Sequence, residues 1–149
     1  MKDIYNYLFL NEKLSSSGMP TAEQIKSVAE AGVTVVINLA QTTSQGALSN
    51  EGPLVESLGI KYIQIPVDWS NPTKQDLEEF FNAMDKYKTE KMLVHCQANY
   101  RATGFITLYR ILRLGWDKET AFKDMNIMWN PEDFPVWQKF IDDNLSDAL

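Results

Sequence analysis

The sequence predicts an α/β fold with a central, mostly parallel sheet of about four to five strands, flanked by helices on both faces. Three observations carry this reading. Short apolar or β-branched runs alternate with segments of helical periodicity along the chain. The run Val33 to Leu39 (VTVVINL) is almost wholly apolar, as a parallel strand covered on both sides requires. A chain of 149 residues with 44% hydrophobic and 23% charged side chains has the size and balance of one globular domain with a real core.

Taken in order, Tyr5 to Leu10 is a short apolar first strand. Thr21-Ala22-Glu23-Gln24 has the spacing of a capping box, in which hydroxyl and amide satisfy each other's backbone N–H groups. Ile25, Val28 and Ala29 give that helix one apolar face, and Gly32 ends it in a left-handed conformation. After the strand Val33 to Leu39 comes a polar stretch, Gln41 to Asn50, and a short helix, Glu51 to Leu58, closed by Gly59. Ile60 to Val67 (IKYIQIPV) alternates like a strand. Thr73 and Asp76 open a helix whose Leu77, Phe80, Phe81, Met84 and Tyr87 keep near-helical spacing. Lys91 to His95 (KMLVH) is the last strand, and Ala102 to Leu114 an apolar helix ended by Gly115. Helices near Lys118 to Asn126 and Pro131 to Asn144 complete a chain without repeat, low-complexity tract or linker, so one domain over 1–149 is expected.

Composition narrows the function. The net charge of -6, from 14 Lys+Arg against 20 Asp+Glu, argues against a nucleic-acid partner, which calls for a basic face. No apolar run approaches the roughly 18–20 residues that span a bilayer. Met1 to Leu14 lacks the pattern of a secretory leader, and a reactive thiol favours the cytoplasm, with an exported form whose leader has been removed as the alternative. The sequence specifies no oligomeric state. One Cys and one His allow neither an intrachain disulfide nor a four-ligand Cys/His zinc site. No cluster supports a metal, and no cofactor is expected.

Those two residues are neighbours, in His95-Cys96-Gln97-Ala98-Asn99-Tyr100-Arg101-Ala102-Thr103. A strand delivers the cysteine, a short loop follows, and an arginine stands at the start of a helix. Loop N–H groups and a helix N-terminus offer donors to an anion, and Arg101 adds a planar, bidentate grip on its oxygens. The same positive field favours the Cys96 thiolate. Together they suit nucleophilic attack on a bound oxyanion. In sheets of this kind ligands bind beyond the carboxyl ends of the strands, which is where the loop lies. Adjacent strand residues face opposite ways, so His95 is expected to support nearby backbone rather than serve as base to Cys96.

The segment resembles the HC…R signature loop of the protein tyrosine phosphatase superfamily, and especially its bacterial dual-specificity-phosphatase-like branch. Ser17-Gly18-Met19-Pro20-Thr21 is similar to the opening of those bacterial proteins, Gly32 to Leu39 to their second strand, and Ile65-Pro66-Val67-Asp68 to the segment carrying their general acid. The resemblance implies a cysteine-phosphatase-like fold and hydrolysis of a phosphorylated protein or small molecule without a cofactor. It makes Cys96 the nucleophile, Arg101 the phosphate clamp and Asp68 the acid, with Gln97, Ala98, Asn99, Tyr100, Ala102 and Thr103 around the substrate.

The chain departs from that pattern in places. Four residues, not five, separate Cys96 from Arg101. Asn99 replaces the usual mid-loop glycine, and of the other residues Asn best tolerates left-handed backbone. Tyr100 is bulky, Ala102 stands where a hydroxyl usually follows the arginine, Thr103 comes one position later, and Gln41 replaces an arginine common in bacterial relatives. The four-residue loop also occurs in rhodanese-like sulfurtransferases, where Cys96 would carry a persulfide. Tyr100 and Ala102 leave open a third reading, a non-catalytic phosphate-binding module. Arg110 and Arg113 are expected to be solvated or snorkelling, Glu78, Glu79 and Asp85 to form a solvated helix face, Asp68 alternatively to serve only as a turn residue, and Trp69 to wall the pocket.

Overall fold

This structure, a computed structural model, describes residues 1–146; positions 147–149 of the expected domain lie outside the described residues. Its strands are β1 (Leu8–Asn11), β2 (Leu14–Ser17), β3 (Val35–Asn38), β4 (Lys61–Gln64) and β5 (Met92–His95). Its helices are α1 (Ala22–Glu30), α2 (Glu51–Ser57), α3 (Lys74–Lys86), α4 (Tyr100–Leu112), α5 (Lys118–Met128) and α6 (Pro135–Ser146), with a 3-10 turn at Pro131–Asp133 before the last. The strands make one sheet in the order β1-β2-β5-β3-β4. β2, β5, β3 and β4 are parallel, and β1 pairs antiparallel with β2 at one edge.

Alternation along the strands divides the core in two. Val35 and Ile37 of β3 with Met92 and Val94 of β5 face α3, α4, α5 and α6, whereas Val36 and Leu93 face α1 and α2 with Ile25, Val28 and Val55. Both faces are covered, which accounts for the near-absence of polar residues in β3. Thr21 with Gln24 and Thr73 with Asp76 form capping boxes at the starts of α1 and α3. Gly32 takes φ +88 at the end of α1, as a left-handed cap requires.

The N-terminal region differs from the sequence reading. The first strand starts at Leu8 rather than Tyr5, because Met1 to Tyr7 is folded into turns, with Ile4 N–H on the Met1 carbonyl, Tyr7 N–H on the Ile4 carbonyl and Asn6 at φ +51. A further strand, β2, contains Ser15, Ser16 and Ser17, which give no hydrophobic signal. They are buried nonetheless, because β2 lies between β1 and β5.

α4 is the central helix of the larger core, and every residue from Arg101 to Arg110 is buried. That placement corrects the reading of Arg110 as solvated: its Nη1 donates to Asp124 Oδ2 at 2.6 Å and its guanidinium lies over the Trp116 ring. Asp85 of α3 likewise accepts from both the Tyr109 hydroxyl and Arg113, each at 2.7 Å, so it joins two helices rather than only facing water. Gly104 fits where a Cβ would stand 3.3 Å from Trp129 and 3.4 Å from Trp137, letting α4 approach both indoles closely. Among the described residues, no helix is long and apolar enough to cross a membrane.

Candidate active site

The carboxyl ends of β3, β4 and β5 lie side by side, and the chain leaves β5 directly into Cys96. Alternation turns Cys96 toward the α4 face and His95, wholly buried, toward the α2 face. Cys96 therefore has no base in its neighbour. His95 does support backbone, with Nδ1 3.3 Å from the Cys96 carbonyl, but its other nitrogen meets Glu51 Oε2 at 2.7 Å, a partner the sequence did not reveal.

The loop between Cys96 and α4 is strapped from outside. The Met19 N–H donates to the Gln97 carbonyl at 3.0 Å, and the Asn6 Nδ2 to the Ala98 carbonyl at 2.9 Å. Asn99 returns the second contact, donating from Nδ2 to the Asn6 carbonyl at 2.8 Å. Because a trans peptide points its C=O and N–H in opposite directions, engaging the Gln97 carbonyl turns the Ala98 N–H away from the strap. Gly18 lies under the loop, where a Cβ would come within 2.7 Å of the Gln97 carbonyl and 2.9 Å of the Tyr5 carbonyl, so only glycine fits. Asn99 takes φ +69, the left-handed conformation its position at the missing glycine requires.

Asn99 is also the N-cap of α4, and it supplies no side-chain cap; Thr21, Thr73 and Asp117 do so for α1, α3 and α5. The first-turn N–H groups of α4 are thus left to an external acceptor. Arg101 sits in that turn, its Nη1 donating to the Val67 carbonyl at 2.8 Å. With one donor so anchored, the guanidinium keeps further N–H groups for an oxyanion.

Cys96, Gln97, Ala98, Tyr100 and Arg101 line one cavity of about 320 Å³, walled by Trp69 and Phe134. Trp69 is thus a pocket wall, and Tyr100 lines the cavity while stacked on Trp129 at 5.3 Å. Asn99, Ala102 and Thr103 lie behind the lining, all buried. The Thr103 hydroxyl donates to the Asn99 carbonyl at 2.6 Å and accepts from the Trp129 Nε1 at 3.0 Å, bracing the loop. Asp68 is not among the lining residues: it is exposed, and its Oδ1 accepts from the Ser70 N–H at 2.9 Å. Its backbone is nevertheless close, since Arg101 holds the Val67 carbonyl and Trp137 Nε1 holds the Trp69 carbonyl at 2.8 Å.

A larger cavity, about 440 Å³, opens at the ends of β3 and β4 between Asn38, Gln41, Glu51 and Tyr62. It has no cationic side chain in its lining, so an oxyanion finds a charge partner in the smaller one. Among the described residues, no group of three His, Cys, Asp or Glu is placed to hold a metal ion.

The family described as DSP-PTPase phosphatase fused to NAD+ kinase matches residues 10–135. This chain belongs to that phosphatase family. A solved candidate phosphatase of the DUF442 group from Shewanella putrefaciens is 39% identical to this chain, covering 99% of it and 95% of its own length, with a TM-score of 0.88. TpbA of Pseudomonas aeruginosa, solved as a cysteine-to-serine variant in complex with pTyr, shares the fold at 16% identity, with a TM-score of 0.72 over 91% of this chain and 82% of its own. A curated relative, the beta-lactamase hydrolase-like protein of Xylella fastidiosa, is 26% identical over 106 residues, 69% of this chain. This chain spans only 24% of that relative's length.

Proposed function

We propose that this phosphatase hydrolyses an aryl phosphomonoester through a phosphocysteine formed on Cys96. The observation that carries it is the sharing of one cavity by Cys96, Arg101 and the uncapped first turn of α4. The Cys96 thiolate attacks phosphorus while Arg101 and the loop N–H groups bind the equatorial oxygens. The P–O bond to the leaving group breaks, and the Asp68 carboxylic acid gives its proton to that oxygen. A water, deprotonated by the resulting carboxylate, then attacks phosphorus and releases phosphate and the thiolate. The substrate-contacting set of this reading is Gln97, Ala98, Tyr100 and Arg101, with Asn99, Ala102 and Thr103 shaping the loop from behind.

The aromatic walls Trp69, Tyr100 and Phe134 suit a flat aryl group, and the pTyr bound by the Pseudomonas aeruginosa relative is of that kind. A phosphotyrosine in a protein or a small aryl phosphate is therefore the proposed substrate. Persulfide chemistry needs no acid, and the family match favours phosphate over it. A nucleophilic thiol in a chain with one cysteine suits a reducing compartment, so the proposed location is the cytoplasm.

The test is steady-state hydrolysis of para-nitrophenyl phosphate. Cys96→Ser is expected to abolish turnover with the circular dichroism spectrum and melting temperature preserved. A folded Cys96→Ser protein that still turned over would remove Cys96 from the role.

A further inference from the structure

A cavity of about 420 Å³ opens at the end of the sheet remote from Cys96, where β2 and β5 begin. Met92, the first residue of β5, lines it, and at about 3.3 Å per residue the strand carries Cys96 roughly 13 Å away. The floor is apolar: Leu14, Met84, Met92 and Tyr109 are all buried. The Tyr109 hydroxyl is committed to Asp85 at 2.7 Å, so the ring is what that side chain has left to offer. Met84 and Met92 are unbranched and adjust to the shape of an apolar guest. Leu114, just past the end of α4, completes the lining with 54% of its surface exposed.

The charged residues of the lining are Lys13 and Lys88, and no carboxylate shares it. Lys13 Nζ donates to the Thr89 carbonyl at 2.7 Å, which ties the turn between β1 and β2 to the segment between α3 and β5. An ammonium so anchored keeps further N–H groups to give. Lys88 is exposed to solvent. The carboxylates near these lysines in the chain are directed elsewhere. Asp85 is held by the Tyr109 hydroxyl and Arg113, Glu90 by Lys61 at 3.0 Å, and Glu12 lies outside the lining. On a chain of net charge -6, an apolar recess with two cations and no acid is a local inversion of the field.

We propose that this cavity binds a medium-chain aliphatic carboxylate, its chain against Leu14, Met84, Met92 and Leu114 and its head group at Lys13 and Lys88. At about 30 Å³ per non-hydrogen atom, the share of a water in the liquid, the volume holds roughly a dozen such atoms, the size of decanoate. A single recess with a buried floor suits one chain better than a lipid surface, which calls for an exposed apolar face. The site is separate from the Cys96 cavity and does not depend on the phosphatase reading.

The probe is decanoate, titrated calorimetrically into the whole protein below its micelle concentration. One saturable site is expected. Octanoate, two methylenes shorter, should bind about tenfold more weakly. Decanol, with the same chain and no charge, should also bind at least about tenfold more weakly. The Lys13→Glu/Lys88→Glu protein is expected to lose at least about tenfold in decanoate affinity with its melting temperature kept. Inorganic phosphate, directed to Arg101 in the other cavity, should leave decanoate affinity unchanged. Equal affinities for decanoate and decanol, an unaffected double variant or displacement by phosphate would each overturn the proposal. Sedimentation of the protein with phosphatidylglycerol vesicles, without decanoate binding, would make this face a lipid contact and overturn it equally. Should the double variant not fold, the comparison of decanoate, octanoate and decanol on the unsubstituted protein decides.

Discussion

The Asp68 carboxylate stands in solvent and caps the Ser70 N–H, while the carbonyls on either side of it, Val67 and Trp69, are held by Arg101 and Trp137. A residue so bracketed has a fixed backbone and a free side chain, and rotation about its own χ angles is the movement that could bring the acid to the leaving oxygen. Asp68→Asn keeps an oxygen for Ser70 but has no proton to give. With an alkyl phosphate, whose leaving group needs protonation, kcat is expected to fall by about 10²–10⁴. With para-nitrophenyl phosphate the fall should be far smaller. Steady-state kcat on the two substrates checks this, and an unchanged alkyl rate assigns the acid elsewhere. That Cys96 and Arg101 meet in one cavity was legible because both belong to one short loop. Glu51 was not: its partner His95 is 44 positions away, and an acidic residue in a helix's first turn already has an ordinary explanation in the helix dipole.

α4 carries the arginine into the cavity, and one of its hydroxyls ties the loop before it to the residue that ends α5. Thr103 Oγ1 donates to the Asn99 carbonyl and accepts from the Trp129 indole, with both side chains buried. Thr103→Val keeps the shape but strips a buried indole N–H of its acceptor. We expect a loss of about 1–3 kcal/mol, the usual cost of such an orphaned group. Denaturant unfolding with an unchanged m-value measures it, and an unchanged midpoint would mean that the indole finds another acceptor. The starts of α1 and α3 were well read from sequence because their caps are local, Thr21 and Thr73 forming the capping boxes that their spacing announced, whereas the helix expected from Pro131 is a 3-10 turn there and α6 begins at Pro135. β2 was missed for the opposite reason. Ser15, Ser16 and Ser17 are strand residues because of what lies on either side of them, and three hydroxyls in a row carry no trace of it. Arg110 follows the same rule, since only the central position of α4 turns it inward to Asp124.

At the scale of the molecule, strand order decides where the chemistry sits. β5 lies between β2 and β3, so its exit loop can be gripped from the N-terminal side by Asn6 and Met19 and approached from the other by the segment after β4. The mostly parallel sheet with two helical faces was legible because β3 and β5 are apolar on both sides; the straps were not, since Asn6 and Gly18 act through space on a loop some eighty to ninety positions away. On the proposed function, and against a net charge of -6, an anion would be drawn by this pocket rather than by the surface. The aromatic cluster beside that pocket gives the molecule an optical property as well. Of its four tryptophans, Trp69, Trp129 and Trp137 have rings 5.2–5.7 Å apart, close enough to pass excitation among themselves, and Trp69 lines the Cys96 cavity. Three of the four tryptophans thus belong to the cluster beside this pocket. Inorganic phosphate titrated into the Cys96→Ser protein is expected to change that emission along a saturable curve, and the Arg101→Ala protein to lose the response. Emission indifferent to phosphate at concentrations that inhibit turnover would place the bound anion away from Trp69. A saturable response of this kind would make the protein its own spectroscopic label, with occupancy of the pocket followed without a substrate or a dye.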